Sequence, residues 1–329
     1  MNGNSKSITR RGLIGGAVSF AAPLAHSAGS REFRGYFPIL QTPFQADGRI
    51  DLDDVEREVN FCIRAGADGL VWPQLLSEFH ELNSQERLET AALILKTSKG
   101  RAPVIVGVQS PETSMAVKMA GHAAEHGAAA VIALPPYEGK PTLDEVRAYY
   151  LAIAKECKLP VVVQNSGGKW GPALPVSFVV ELANTGPQFG HVKEEVPQIL
   201  PRFHQYSTSG AMKSVFSGTG GKYAPFELAH GTTGAMGPSS LPDVVARIYR
   251  LYREGKREEA RDIYTLLVSV MVTESLYGGV GLAKEILVRR GVFKSARQRK
   301  PERGGEKILD AGDRELRLWL KRLERYFQA

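Results

Sequence analysis

Cysteine is scarce. The 329-residue chain has two, Cys62 and Cys157, and neither belongs to a CxxC pair. That excludes a disulfide-stapled scaffold and a thiolate zinc site. Both fall in stretches of helical character and read as small packing residues, and nothing requires a bond between them. Long apolar runs are also missing. The most sustained, over residues 12–24, is too short to cross a membrane comfortably, so no membrane span is expected. No G-x-G-x-x-G follows an early strand-like segment, which argues against a doubly wound open sheet. The stretch Ser217-Gly218-Thr219-Gly220-Gly221-Lys222 is not a Walker loop, because Phe216 stands where the first glycine belongs and Tyr223 follows the lysine. It is a weak candidate for anion binding. His122 and His126 have the H-x-x-E-H spacing, but their segment is alanine-rich and reads as an outer helix, so no metal site is expected. The net charge of +7 lies in the last stretch, where residues 289–329 hold 13 basic and 6 acidic residues. No groove-reading or base-stacking motif accompanies this charge, so nucleic acid is not an expected partner.

The first residues are a targeting pattern rather than fold. Arg10-Arg11 precedes the apolar run, and Ala25, Ser27 and Ala28 end it. This order of pair, apolar core and small residues is that of a twin-arginine export signal over residues 1–28. The expected location is the periplasm, or the cytoplasm if the signal is not used. The mature chain is expected to begin near Gly29.

After residue 34 strand-like and helix-like segments alternate. The strand-like ones cover residues 36–42, 69–73, 104–108, 131–136, 160–165, 189–193, 212–217 and 233–237. They are apolar runs rather than alternations, as parallel strands covered on both faces are. Eight such units predict a (β/α)8 TIM barrel over residues 33–254, with a C-terminal helical extension over 255–329. The extension is expected to hold helices over 257–275, 281–290 and 313–327, with a polar linker over 297–305.

In such a barrel the reacting groups lie at the C-terminal ends of the strands. Those ends offer Thr42, then Ser77 and Glu78 past the second strand, Gln164 and Asn165 on the fifth, Lys193 and Glu195 on the sixth, and Ser217 on the seventh. Taken alone, Val192-Lys193-Glu194-Glu195 reads as a charged surface loop. At a buried strand end it reads differently. Burial disfavours an ammonium ion, and a neutral amine attacks carbonyl carbon. Strand periodicity puts Lys193 and Glu195 on one side and Glu194 on the other. One lysine among carboxylates and hydrogen-bonding groups, with no histidine, points to carbonyl chemistry through a Schiff base.

At this point the chain resembles the dihydrodipicolinate synthase / N-acetylneuraminate lyase superfamily, over about residues 35–301. The resemblance rests on Gly35-Tyr36-Phe37-Pro38, Thr42-Pro43-Phe44, Ser77-Glu78, Leu134-Pro135-Pro136-Tyr137, Val192-Lys193-Glu194 and Gly231-Thr232-Thr233-Gly234-Ala235-Met236. Two departures matter. Leu75 and Leu76 stand where the best-known members carry a threonine pair that binds the pyruvyl carboxylate, and Gln164 stands at their catalytic tyrosine. The chain is more similar to the 2-keto-3-deoxy-L-arabonate dehydratase subgroup, through Ser77-Glu78, Val163-Gln164, Lys193 with Glu195, and Leu241-Pro242-Asp243. The resemblance implies Lys193 as the Schiff-base lysine, with Glu195 and Gln164 as catalytic neighbours. It also implies Ser77 and Glu78 as substrate-binding, to which the strand ends add Thr42, Asn165 and Ser217. No cofactor is expected. The implied partner is a small 2-keto acid, and the implied assembly is a homo-oligomer, dimer or tetramer. Dehydration of a 2-keto-3-deoxy sugar acid is the leading expectation. Retro-aldol cleavage of a pyruvate-derived keto acid is the second, and a periplasmic keto-acid binding protein without turnover is the third.

Overall fold

The computed structural model describes Met1 and residues 32–300 and 310–328. The expected export signal, save Met1, and most of the polar linker lie outside the described residues. Eight parallel strands close into a barrel in chain order. They are β1 (Gly35–Ile39), β2 (Leu70–Trp72), β3 (Val104–Gly107), β4 (Ala130–Ala133), β5 (Val161–Asn165), β6 (His191–Glu194), β7 (Ser214–Ser217) and β8 (Gly234–Pro238). The ring shuts where β1 pairs with β8, from Gly35 beside Gly234 to Ile39 beside Pro238. A Cβ on Gly234 would meet the Gly35 carbonyl oxygen at 2.1 Å, so only glycine lets the seam close.

The ring of helices comprises α1 (Leu52–Arg64), α2 (Ser84–Ser98), α3 (Thr113–Glu125), α4 (Leu143–Cys157), α5 (Val176–Ala183), α6 (Ile199–Thr208), α7 (Ala224–Ala229) and α8 (Pro242–Arg253). Several starts are written locally. Asn83 caps α2 and Thr142 caps α4, each answered by a glutamate three residues on, Glu86 and Glu145. α6 opens on Ile199-Leu200-Pro201-Arg202, with a proline inside the helix. Pro201 falls in the first turn, where the missing N–H has no intrahelical partner to lose.

Strand alternation divides the core into two layers. Phe37, Ile39, Val71, Ile105, Ile132, Val162, Phe216 and Met236 fill the barrel. Val104, Val106, Val131, Val161, Val163 and Val192 face the helices, with Val55, Ile94 and Phe203 packed on them. Burial on both faces is why the strands lack polar alternation. Cys62 and Cys157 are free and buried in this outer layer. His122 lies on α3 and His126 caps its C-terminal end, their rings stacked on each other at 4.1 Å. Among the described residues no helix is long and apolar enough to cross a membrane.

Beyond the barrel run α9 (Arg257–Leu276), α10 (Gly279–Arg289) and α11 (Asp310–Leu323). α9 packs along α8, and Leu316 and Leu323 of α11 join Ile248, Ile263 and Leu267 in a second apolar cluster. α10 returns to the C-terminal face of the barrel and sends Lys284 to Glu78.

One buried acid ties α1 to the strand ends. Glu58 Oε1 accepts from the Gln41 backbone N–H at 2.8 Å and from Ser239 Oγ at 2.5 Å. Burial pushes its pKa up to about 8, against the lowering pull of these two donors and of Lys284. The folded protein therefore holds a proton that the unfolded chain releases above its ordinary value near 4.5. This contribution is fullest below pH about 4.5 and fades as pH rises to about 8. Glu58→Gln keeps the acceptor oxygen and removes the titration. The variant is expected to lose less melting temperature than the parent between pH 5 and pH 8, by at least about 3 °C. Parallel curves in a pH series of thermal melts would contradict this.

Candidate active site

β6 sets the centre. Val192 and Glu194 point out toward the helices, so Lys193 points into the barrel, where it is 1% exposed. Glu195 follows the strand end, and its N–H donates to the Asn165 carbonyl at 2.9 Å. The Lys193 Nζ lies 2.8 Å from Glu195 Oε1. Gln164 stands beside Lys193 in register on β5, and its Nε2 donates to Glu195 Oε2 at 3.0 Å. Both carboxylate oxygens are therefore held, one by the amine and one by an amide. Gln164 Oε1 is buried and has no hydrogen-bond partner among the described residues. A Cβ on Gly218 would come within 2.2 Å of Glu195 Cγ, so a bare backbone lets the carboxylate lie where it does.

Glu194 serves the same centre from outside. Its carboxylate accepts from Asn165 Nδ2 at 3.0 Å, Arg202 Nη2 at 2.9 Å and Tyr206 Oη at 2.8 Å. It also accepts from the Glu195 and Val196 backbone N–H groups, at 3.1 and 2.8 Å. These bonds fix the turn that presents Glu195 and tie it to α6. The Glu194 contacts with Arg202 and Tyr206 were not anticipated from the sequence. Their four-residue spacing on one face of a helix was the available signal.

Of the predicted site residues, Lys193, Glu195 and Gln164 come together. The other five have their polar groups engaged elsewhere. Asn165 and Ser217 are one residue out of phase with the inward positions, so they face the helices. Asn165 bonds Leu174 and Glu194, and Ser217 Oγ donates to Glu227 Oε1 at 2.7 Å. Ser77 Oγ donates to the Leu40 carbonyl at 2.5 Å and accepts from the Gln74 N–H at 3.0 Å. Thr42 Oγ1 donates to the Ser77 carbonyl at 2.6 Å and accepts from Trp72 Nε1 at 3.2 Å. This pair clamps the β2–α2 turn onto the end of β1. Glu78, with φ of +55°, is buried against Lys284 and the Arg299 N–H. Among the described residues no three metal-ligating side chains are gathered to hold an ion.

Fold and site together describe a class: closed (β/α)8 barrels with a buried amine at the end of β6 and a carboxylate held beside it. Comparison with known proteins makes this specific. The dihydrodipicolinate synthetase family model matches residues 32–307. L-2-keto-3-deoxyarabonate dehydratase from Azospirillum brasilense is 29% identical over 280 residues, spanning 84% of this chain and 90% of that protein. The probable 2-dehydro-3-deoxy-D-pentonate aldolase of Escherichia coli is 30% identical over 68% of this chain and 76% of its own. The crystal structure of dihydrodipicolinate synthase from Rhodopseudomonas palustris aligns with a TM-score of 0.78 at 26% identity, covering 88% of this chain and 97% of that one. The chain belongs to the dihydrodipicolinate synthetase family. It is an enzyme of the lyase kind, a dehydratase or an aldolase.

Proposed function

We propose that Lys193 forms a Schiff base with the carbonyl carbon of a 2-keto acid, and that the reaction is dehydration of a 2-keto-3-deoxy sugar acid. The observation that carries this reading is the set of contacts Lys193–Glu195–Gln164, with 2.8 Å from amine to carboxylate and 3.0 Å from amide to carboxylate. The amine attacks C2, and loss of water gives the imine. The protonated imine draws electrons from the C3–H bond. Glu195 takes the C3 proton, leaving an enamine. The enamine expels the C4 hydroxyl, which departs as water with the proton Glu195 had taken. Hydrolysis of the conjugated imine returns free Lys193 and a product lighter by one water.

Gln164 cannot take up a proton at neutral pH, so it orients the carboxylate rather than relaying protons. Its unpartnered Oε1 is available to a substrate hydroxyl. Retro-aldol cleavage would need a base on the C4 hydroxyl, the task of the tyrosine that Gln164 replaces. The similarity to a protein named as a 2-keto-3-deoxyarabonate dehydratase supports water loss. The similarity to one named as an aldolase keeps cleavage as the second reading, since both reactions pass through an imine.

Product analysis with 2-keto-3-deoxy-L-arabonate separates the two. Dehydration gives a single keto acid with all its carbons, whereas release of pyruvate would favour cleavage. Glu195→Gln is expected to lower kcat by roughly 10²–10⁴-fold while Lys193 still forms an adduct that borohydride traps. A loss of less than about 10-fold would remove Glu195 from the proton transfers.

A further inference from the structure

A cavity of about 190 Å³ opens beside the catalytic carboxylate, between the β7–α7 loop, the end of β8 and α9. Gly218 forms part of its wall and is the same residue whose bare backbone borders Glu195. Leu76, which packs on the barrel interior, forms another part. Through Gly218 the cavity borders Glu195, and through Leu76 it borders the barrel interior.

Its polar equipment comes from outside the ring of strand ends. Glu274 of α9 lines it and is 7% exposed. Ser240 Oγ donates to Glu274 Oε1 at 3.0 Å, and among the described residues Oε2 has no hydrogen-bond partner. Burial pushes this carboxyl up to about 7, so near neutral pH its open oxygen can both donate and accept. Lys222 of the β7–α7 loop also lines it, its Nζ donating to Ser275 Oγ of α9 at 3.0 Å with further N–H groups to spare. A buried carboxyl with an open oxygen, in a cavity that an amine also lines, suits vicinal hydroxyl groups. It does not suit a plain alkyl chain, which would strand the carboxyl.

We propose that this cavity is the subsite for the hydroxylated tail of the keto acid, with Glu274 and Lys222 as its specificity-determining residues. The inference rests on the Schiff-base reading of Lys193 and extends it from a carbonyl to a polyhydroxylated chain. The geometry assigns the carbonyl end to Lys193 and the hydroxyls beyond C4 to Glu274.

Borohydride trapping of the full chain, read by mass, gives the half-saturating concentration of any keto acid without requiring turnover. The probes are 2-keto-3-deoxygluconate and 2-oxohexanoate, which differ in the tail hydroxyls, with pyruvate as the adduct control. The parent is expected to favour the hydroxylated probe by about 10-fold or more. Glu274→Leu is expected to erase that preference, and Glu274→Gln, which keeps a donor and an acceptor, to retain most of it. Equal half-saturation by both probes in the parent overturns the subsite alone. So does a Glu274→Leu variant that shifts both probes by one factor, because that is what a purely structural residue would do. No adduct from any of the three keto acids overturns the Schiff-base reading, and the subsite falls with it.

Discussion

Lys193→Ala is expected to abolish turnover, by roughly 10⁴-fold or more, and to abolish the borohydride adduct completely. The reason is positional. Lys193 is the buried amine inside the barrel at the strand end, 2.8 Å from a carboxylate, and Gln164 and Glu195 have no nucleophilic nitrogen to replace it. Other lysines do not compensate. Lys222 is bonded to Ser275 on the α9 side of the adjoining cavity, and Lys284 is committed to Glu78. The fold is expected to survive, because the Glu195 left without its partner keeps the Gln164 amide and a side chain 19% exposed. Arginine at this position should not restore activity, since guanidinium stays protonated and cannot form the imine. Circular dichroism and a thermal melt separate lost chemistry from lost fold. Residual turnover above about one part in a thousand of the parent would place the nucleophile elsewhere.

The largest effect on stability is expected from Lys284→Met. Lys284 is fully buried and joins α10 to the β2–α2 turn by its ion pair with Glu78, whose side chain is 4% exposed. Its Nζ also donates to the Arg297 carbonyl at 2.9 Å and lies 4.6 Å from the centre of the Phe44 ring. Burial pulls the lysine pKa down, while Glu78 and Glu58 hold it up. Removing the amine leaves Glu78 in the interior with the Arg299 N–H as its remaining donor. Truncating one partner of a buried pair costs about 3–5 kcal/mol, chiefly through the charge left behind. Urea unfolding should show that loss, and adding Glu78→Gln to Lys284→Met should recover part of it. A change below about 1 kcal/mol would mean that water reaches the pair.

The difference between these two lysines shows what a sequence discloses. The barrel was legible because its cause is local: short apolar runs, caps and eight regular repeats. Lys193, Glu195 and Gln164 were legible because strand parity is local too. Asn165 and Ser217 stand one residue out of phase with the inward positions. At the end of a strand the inward and outward positions are both polar, and the sequence does not mark where the inward series stops. Glu78 finds its ion-pair partner 206 residues away, on a helix outside the barrel. No periodicity encodes such a contact. The Arg202 and Tyr206 hold on Glu194 was not legible, because it exists only once α6 lies against the end of β6 in the folded chain. Glu274 was invisible for the same reason as Lys284, since α9 comes back to the end of β8 only in the folded chain.

Borohydride reduction of the purified protein with pyruvate, followed by peptide mass mapping, tests the Schiff base most directly. The expected result is one stoichiometric adduct, carried on the peptide containing Lys193 and missing from the Lys193→Ala variant. An adduct on another lysine, or none with pyruvate or any 2-keto-3-deoxy acid, would contradict it.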